Sequence, residues 1–288
     1  MQITGRVFAI TGAGNGIGRE VALGIARKGG HVAALDLSES GLAETAALAE
    51  GLPGRVTTHV VNITDREAAL ALPAVIIAQH RQVDGLLNIA GIIQKFVPVN
   101  DLDWDQIDRV INVNLYGVLN TVKAFLPHLV TRPEAAIVNV ASMGAYAPVP
   151  GQGVYGATKA AVAQLSRALH SELMATNVSV TGVFPGAIGT NISQNSGVMT
   201  TEEMEKLAAA AGDKARKTTA PAEAGRQIIE AIEKGTYEIF IGQDARFMSR
   251  LSRLNPKKAA GLIYSQMKDL LGSSPPNGPQ SREPAFGP

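Results

Sequence analysis

The segment Val7-Phe8-Ala9-Ile10-Thr11-Gly12-Ala13-Gly14-Asn15-Gly16-Ile17-Gly18 decides the fold. An apolar β-type run, residues 7–10, enters a glycine turn and leaves it as residues 16–28, whose apolar spacing is helical. Glycines at a strand-to-helix turn let the backbone close on a pyrophosphate, and the helix N-terminus faces that anion with free N–H groups and partial positive charge. The spacing is not the ordinary GxGxxG, because position 17 is Ile, and not a Walker A loop, because no Gly-Lys-Ser/Thr follows. A second apolar run, residues 32–35, ends at Asp36, about 20 residues past the turn, where a carboxylate holds ribose hydroxyls. That carboxylate repels a 2′-phosphate. No Arg or Lys stands between Thr11 and Gly18 and residue 37 is Leu, so the pattern favours NAD over NADP. A purely structural glycine turn and a helix-capping Asp36 are the alternatives. The flanking strand and helix weigh against the first, and Ser38 and Ser40, better placed as caps, against the second.

Outward from this unit, β-type runs and helical segments alternate. Residues 40–50 read as a helix, 56–61 as a strand, 65–80 as a helix that Pro73 should kink or restart, and 85–88 as a strand. Asp101 or Asp103 is placed to cap one long helix reaching about residue 130. Strand 136–140, helix 155–175, strand 178–184, helix 222–234 and strand 237–241 follow. This alternation predicts an α/β protein, a doubly wound parallel sheet with helices on both faces. Ligands on such sheets bind beyond the carboxyl ends of the strands, where the special residues fall.

The predicted organisation is a nucleotide-binding and catalytic domain over residues 1–243, a basic amphipathic helical extension over 244–271, and a disordered tail over 272–288. The extension carries Arg246, Arg250, Arg253, Lys257, Lys258 and Lys268 among spaced apolar residues and should break at Pro256. Packing on its own or a neighbouring subunit is the favoured role. Contact with a membrane surface ranks second and with nucleic acid third.

Composition narrows the function. The 288 residues hold 26 Lys+Arg against 25 Asp+Glu, a net charge of +1, so no global field points to nucleic acid. There is no cysteine, which excludes disulfides and thiolate zinc. His31, His59, His80, His128 and His170 form neither HxxxH nor HExxH, so no metal site is expected and each reads as a surface or packing residue. No signal peptide and no span of bilayer length is visible, and a cytoplasmic protein is expected.

Tyr155 and Lys159 are four apart on a predicted helix and therefore share a face. A phenol with its ordinary pKa of about 10 is a poor base near neutrality, and an ammonium beside it favours phenolate. Such a pair can exchange a proton at moderate pH. Ser142, between a strand and the tyrosine, can donate to a substrate oxygen that gains negative charge, or simply cap a turn.

Six motifs now stand in one order: residues 11–18, Asn88-Ile89-Ala90-Gly91, Asn112-Val113-Asn114, Ser142, Tyr155-Gly156-Ala157-Thr158-Lys159 and Pro185-Gly186. Over residues 4–242 they resemble the short-chain dehydrogenases/reductases. The resemblance implies a Rossmann-type sheet of about seven strands in the order 3-2-1-4-5-6-7. It implies catalytic Asn114, Ser142, Tyr155 and Lys159: Tyr155 as acid/base, Lys159 on the nicotinamide ribose and lowering the phenol's pKa, Ser142 orienting substrate, and Asn114 holding a relay water. It implies cofactor contacts from Gly12, Gly14, Asn15, Gly16, Ile17, Gly18, Asp36, Asn62, Ile63, Asn88, Ala90, Gly91, Tyr155, Lys159, Pro185, Gly186, Ile188 and Thr190. Two positions depart from the family: Asn62 replaces a frequent Asp, its amide oxygen still able to accept, and Ile89 replaces a frequent Asn.

Substrate contact is expected from Ser142, Met143, Tyr155 and Ile93, with a wall from Ile92, Gln94, Phe96, Tyr146, Val149 and a lid-like loop 191–217; the alternative is that some of these side chains simply pack the core. This apolar wall, with no Arg or Lys adjoining Ser142 or Tyr155, predicts an uncharged, fairly hydrophobic ketone or secondary alcohol. Helices 105–130 and 155–175 correspond to those that pair between subunits in the family, implying a homodimer or homotetramer. The rivals are a non-catalytic dinucleotide-binding redox sensor, which needs no tuned phenol, and a methyltransferase, which leaves Asp36 and the Tyr–Lys pair unexplained.

Overall fold

The computed structural model describes residues 1–190, 192–198 and 218–267. Most of the expected lid-like loop, the end of the basic extension and the expected disordered tail lie outside the described residues. In chain order the elements are β1 (Val7–Thr11), α1 (Gly16–Arg27), β2 (His31–Asp36), α2 (Glu39–Leu48), β3 (Val56–Val60), α3 (Arg66–His80) and β4 (Gly85–Asn88). Then come α4 (Trp104–Ile111), α5 (Gly117–Leu129), β5 (Ala135–Val140), α6 (Gly153–Glu172), β6 (Val178–Pro185) and the short α7 (Ile192–Asn195). After the undescribed stretch follow α8 (Pro221–Lys234), β7 (Glu238–Ile241), α9 (Gln243–Leu254) and α10 (Pro256–Met267).

The seven strands form one parallel sheet in the order β3-β2-β1-β4-β5-β6-β7. Side chains alternate across it. Phe8, Ile10, Val32 and Ala34 meet Val21 and Ile25 of α1 and Ile228 and Ile232 of α8 on one face. Val7, Ala9, Ala33 and Leu35 meet α3, α5 and α6 through Ile76, Phe125 and Val162 on the other. β1 and β5 are buried throughout, as central strands of a sheet covered on both faces should be. The direction reverses between β1 and β4, and the carboxyl ends of these strands open the crevice where such folds bind ligands.

Two local expectations are corrected. Pro73 neither breaks nor restarts α3, which runs from Arg66 to His80 with Pro73 buried in it. Packing of Leu72 and Ile76 against the sheet outweighs one missing backbone bond. The long helix before residue 130 is two α-helical segments joined by a π-turn, Asn112–Tyr116. Asp103 occupies the N-cap position of α4 but makes no side-chain cap bond. The break at Pro256 is present, between α9 and α10. These helices fold back on the body: Met248, Ala259, Ile263 and Met267 pack with Ala147 against Phe96, Met143, Tyr146 and Val149. Among the described residues no helix is long and apolar enough to cross a membrane.

Three histidines converge at the sheet edge. Thr57 Oγ1 lies 3.0 Å from His59 Nε2 and 2.8 Å from His80 Nε2, and the His31 and His80 rings are 6.4 Å apart. Burial first, then the charges of Arg55 and the neighbouring histidines, pushes His80 down to about 4, and burial lowers His59. A group whose folded pKa is depressed stabilises the fold above its unfolded pKa of 6.5. That contribution drains away as the pH falls towards about 4. We expect the urea midpoint to drop across this window, and His80→Gln, which keeps a partner for Thr57, to flatten the drop. Identical pH profiles for the two proteins would refute the assignment.

Candidate active site

The glycine turn leaves no room for side chains. Gly12 has φ +73°, and a Cβ there would stand 2.9 Å from the Ala90 backbone; a Cβ on Gly18 would collide with the Gly12 carbonyl. Thr11 Oγ1 accepts from Ile89 N at 3.1 Å and Ala90 N at 3.2 Å, locking the exits of β1 and β4 together. In front of this seam lies a cleft of about 640 Å³ whose lining includes Gly12, Asn15, Gly16, Ile17, Gly18, Asp36, Asn62, Ile63, Ala90, Gly91 and Thr190, expected from sequence, and also Leu37, Thr64, Asp105, Asp108 and Arg109, which were not. Gly14 lies under Asp36: its N–H donates to Asp36 Oδ2 at 2.8 Å, and a Cβ there would stand 2.9 Å from the carboxylate. Ser38 N donates to Asp36 Oδ1 at 2.9 Å, while Ser38 Oγ caps α2 by accepting from Gly41 N. Asp36 is therefore not the helix cap. Each of its oxygens keeps a lone pair towards the cleft. The nearby Arg19 guanidinium is engaged by Thr45, Gly41, Glu44 and the Gly14 carbonyl.

Several expected contacts fall elsewhere. Asn88 does not line the cleft: its amide is buried between Asn139 (2.9 Å) and Thr121 (2.7 Å), joining β4 to β5 and α5. Asn62 lines the cleft, but its amide oxygen already accepts from Thr64 N and Thr64 Oγ1, so the acceptor expected for an adenine amine is occupied locally. Pro185, Gly186 and Ile188 are not among the residues that line the cleft. Their loop is held by Asp244 of α9, whose Oδ2 accepts from Ala187 N at 2.7 Å and which fills the space a Gly186 Cβ would need. Asp244 was not visible in the motifs, since it lies nearly sixty residues on, in an element outside them. Across the cleft mouth, Asn195 Nδ2 donates to Asn15 Oδ1 at 3.0 Å and Ile93 N to Ser196 Oγ at 2.9 Å, contacts without a sequence signal.

The catalytic candidates converge at the inner end. The π-turn buries Asn114, whose Oδ1 accepts from Ile92 N and whose Nδ2 donates to Ile92 O and to Thr158 Oγ1. Lys159, 3% exposed, donates to the Val140 carbonyl at 2.9 Å. A Cβ on Gly91 would lie 3.0 Å from Lys159 Nζ and 3.2 Å from Asn114 Oδ1, so Gly91, which lines the cleft, packs against both; Ser142, Tyr155, Lys159 and Asn114 are not themselves among the residues that line it. Lys159 Nζ stands 5.9 Å from the centre of the Tyr155 ring. Ser142 Oγ accepts from Gly144 N at 3.0 Å, which is a turn cap.

Desolvation raises the Tyr155 phenol above its ordinary pKa, and desolvation pushes Lys159 down to about 8.

Gln94, expected in the substrate wall, has a different place. It is 1% exposed; Oε1 accepts from Tyr155 N at 2.9 Å, Nε2 donates to Gly151 O at 2.9 Å, and its carbonyl accepts from Gln152 Nε2 at 2.7 Å. It fixes the start of α6 and hence the tyrosine. Ile93 is buried at the cleft mouth, and Met143, Tyr146, Val149 and Phe96 are covered by α9 and α10. Tyr146 Oη donates to the Ala245 carbonyl at 2.8 Å.

A parallel sheet in this order, a glycine turn after β1 and a buried Tyr-x-x-x-Lys helix define an oxidoreductase of Rossmann type. The family model for short chain dehydrogenase matches residues 6–201. SadH of Mycobacterium tuberculosis is 34% identical over 252 residues, covering 87% of this chain and 91% of SadH. The 3-oxoacyl-[acyl-carrier-protein] reductase FabG of Thermotoga maritima is 37% identical over 196 residues, 67% of this chain and 78% of FabG. A short chain dehydrogenase/reductase from Burkholderia phymatum, solved with NAD, superposes with TM-score 0.79 at 23% identity, covering 90% of this chain and 97% of that one. The chain belongs to the short-chain dehydrogenase family.

Gln94→Leu keeps the volume but leaves the part-buried Tyr155 N–H and Gly151 carbonyl unpaired, while the Gln152 bond to the main-chain carbonyl of residue 94 remains. We expect a stability loss of roughly 1–3 kcal/mol per orphaned group not rescued by water, read by urea unfolding. Unchanged stability would show that the amide holds nothing.

Proposed function

We propose that the chain is an NAD-dependent oxidoreductase that interconverts an uncharged, fairly hydrophobic secondary alcohol and its ketone, with Tyr155 exchanging the proton. The observation that carries this reading is a cleft lined by both Asp36 and Gly91, with the Lys159 amine close to Gly91. Its residues fit a dinucleotide: side-chain-free backbone at Gly12 and Gly18 for a pyrophosphate, the N-terminus of α1 for its charge, and Asp36 for a ribose diol. NAD is favoured over NADP because Asp36 is anionic and Arg19 is engaged by α2 and the turn. The B. phymatum neighbour was solved with NAD, and FabG is named as a reductase of a 3-oxoacyl group; both agree with the reading.

Nicotinamide, when bound, supplies or accepts the hydride. Lys159 is placed to bind its ribose, and Thr190 lines the cleft beside Gly16. In this reading Ser142 bonds the substrate oxygen together with the phenol. Tyr155 donates its proton to that oxygen in reduction and withdraws it in oxidation. The apolar wall keeps water out and offers no charge to a charged substrate. We also propose a homodimer or homotetramer through the helices of residues 105–130 and 155–175. Exposed Tyr116 and Val130 on the first of these, with exposed Trp104 immediately before it, support it.

Tyr155→Phe should reduce turnover of a secondary-alcohol panel on the order of 10²–10⁴-fold while leaving NAD binding intact. Tight NAD uptake with no wild-type turnover on any panel member would instead select the redox sensor. Comparable rates with NADP would remove the role given to Asp36. Because burial raises Tyr155, the phenol keeps its proton through neutrality. Oxidation, which needs the phenolate, should therefore accelerate as pH rises, and reduction, which needs the phenol, should slow. Parallel profiles in the two directions would argue against Tyr155.

A further inference from the structure

Helices α9 and α10 have two unlike faces. The inner one, with Met248, Ile263 and Met267, packs on Tyr146 and Val149. The outer one leaves Phe247 56%, Leu254 86% and Tyr264 56% exposed. Exposed Arg250, Lys257 and Lys258 lie among them. Five cations and no Asp or Glu fall between Ala245 and Met267, in a chain whose net charge is only +1. Two of the five turn back on the protein: Arg246 donates to the Phe240 carbonyl at 3.1 Å, and Arg253 pairs with Glu238 at 3.6 Å over the Phe240 ring. Among the described residues, no ion pair engages Arg250, Lys257 or Lys258.

We propose that this outer face docks on an anionic phospholipid surface. Large apolar side chains interleaved with unpaired cations match the boundary between acyl chains and phosphate headgroups. A second copy fits less well, because a two-fold contact would bring the cations of both copies together. Nucleic acid would engage the cations but leave Phe247 and Leu254 in water. The inner face of the same helices covers the apolar side chains assigned to the substrate wall, so docking would bring that wall to the lipid. This consequence for substrate delivery rests on the proposed reaction; the docking itself does not.

The test uses the full chain, without NAD or substrate, floated with vesicles of phosphatidylcholine alone or mixed with phosphatidylglycerol. Uptake is expected only with phosphatidylglycerol and should fall as salt rises. Arg250→Gln, Lys257→Gln and Lys258→Gln combined should weaken partitioning on the order of a hundredfold. Phe247→Ser with Leu254→Ser should weaken it at unchanged charge, and melting curves for each variant separate lost docking from lost fold. No wild-type uptake at low salt, equal uptake on neutral vesicles, or uptake unmoved in both folded variants would overturn the proposal. So would variants that change the oligomeric state in sedimentation while wild type leaves the vesicles unbound, which would assign the face to a second copy. No turnover is read, so a negative result leaves the proposed reaction standing. A Tyr155→Phe protein that floats normally but does not turn over separates the two claims from the other side.

Discussion

A buried amine on the end of a strand holds this site together. Removing an ammonium from water is costly unless it is hydrogen-bonded, and Lys159 meets that demand at the Val140 carbonyl, the last residue of β5. The bond anchors α6 to the sheet, and α6 carries Tyr155 one turn away. The same burial draws the amine down to about 8, close enough to neutrality for its charge to respond to what binds beside it. Gly91 is part of this constraint, because any side chain there would stand where Lys159 and Asn114 meet the cleft.

Around that anchor, three other elements meet at the tyrosine. The π-turn turns Asn114 inward, where it pins Ile92 and bonds Thr158, whose hydroxyl donates to the Tyr155 carbonyl. Gln94 holds the Tyr155 amide from the other side. Further out, Asp244 ties the loop after β6 to α9, so the C-terminal helices are joined both to the rear of the cofactor cleft and to the apolar wall. The segment that looked like an appendage is thus built into the site's periphery.

Much of this was legible in the chain. The alternation of strands and helices, the glycine turn and Asp36 followed from rules that act over a few residues, and the family order of six motifs supplied the strand order. Those residues lining the cleft that were named in advance were legible for the same reason: most lie within a turn or at a strand end whose geometry is local. What misled was also local. Pro73 reads as a breaker, yet packing of its neighbours against the sheet keeps α3 whole. Gln94 reads as wall and Asn88 as a ligand contact, because a polar residue in a site motif gives no hint of which neighbour will claim its amide.

The sequence alone determined the fold, the anionic residue at the end of β2 and the phenol and amine on one helical face, since periodicity and backbone stereochemistry need no distant partner. Only the tertiary structure decided which amides became struts, that Asp244 braces a loop far from it in the chain, and that desolvation weighs most on both Tyr155 and Lys159. Those outcomes depend on the distance to groups remote in sequence and on the water excluded when they meet. Neither quantity is written in the order of the residues.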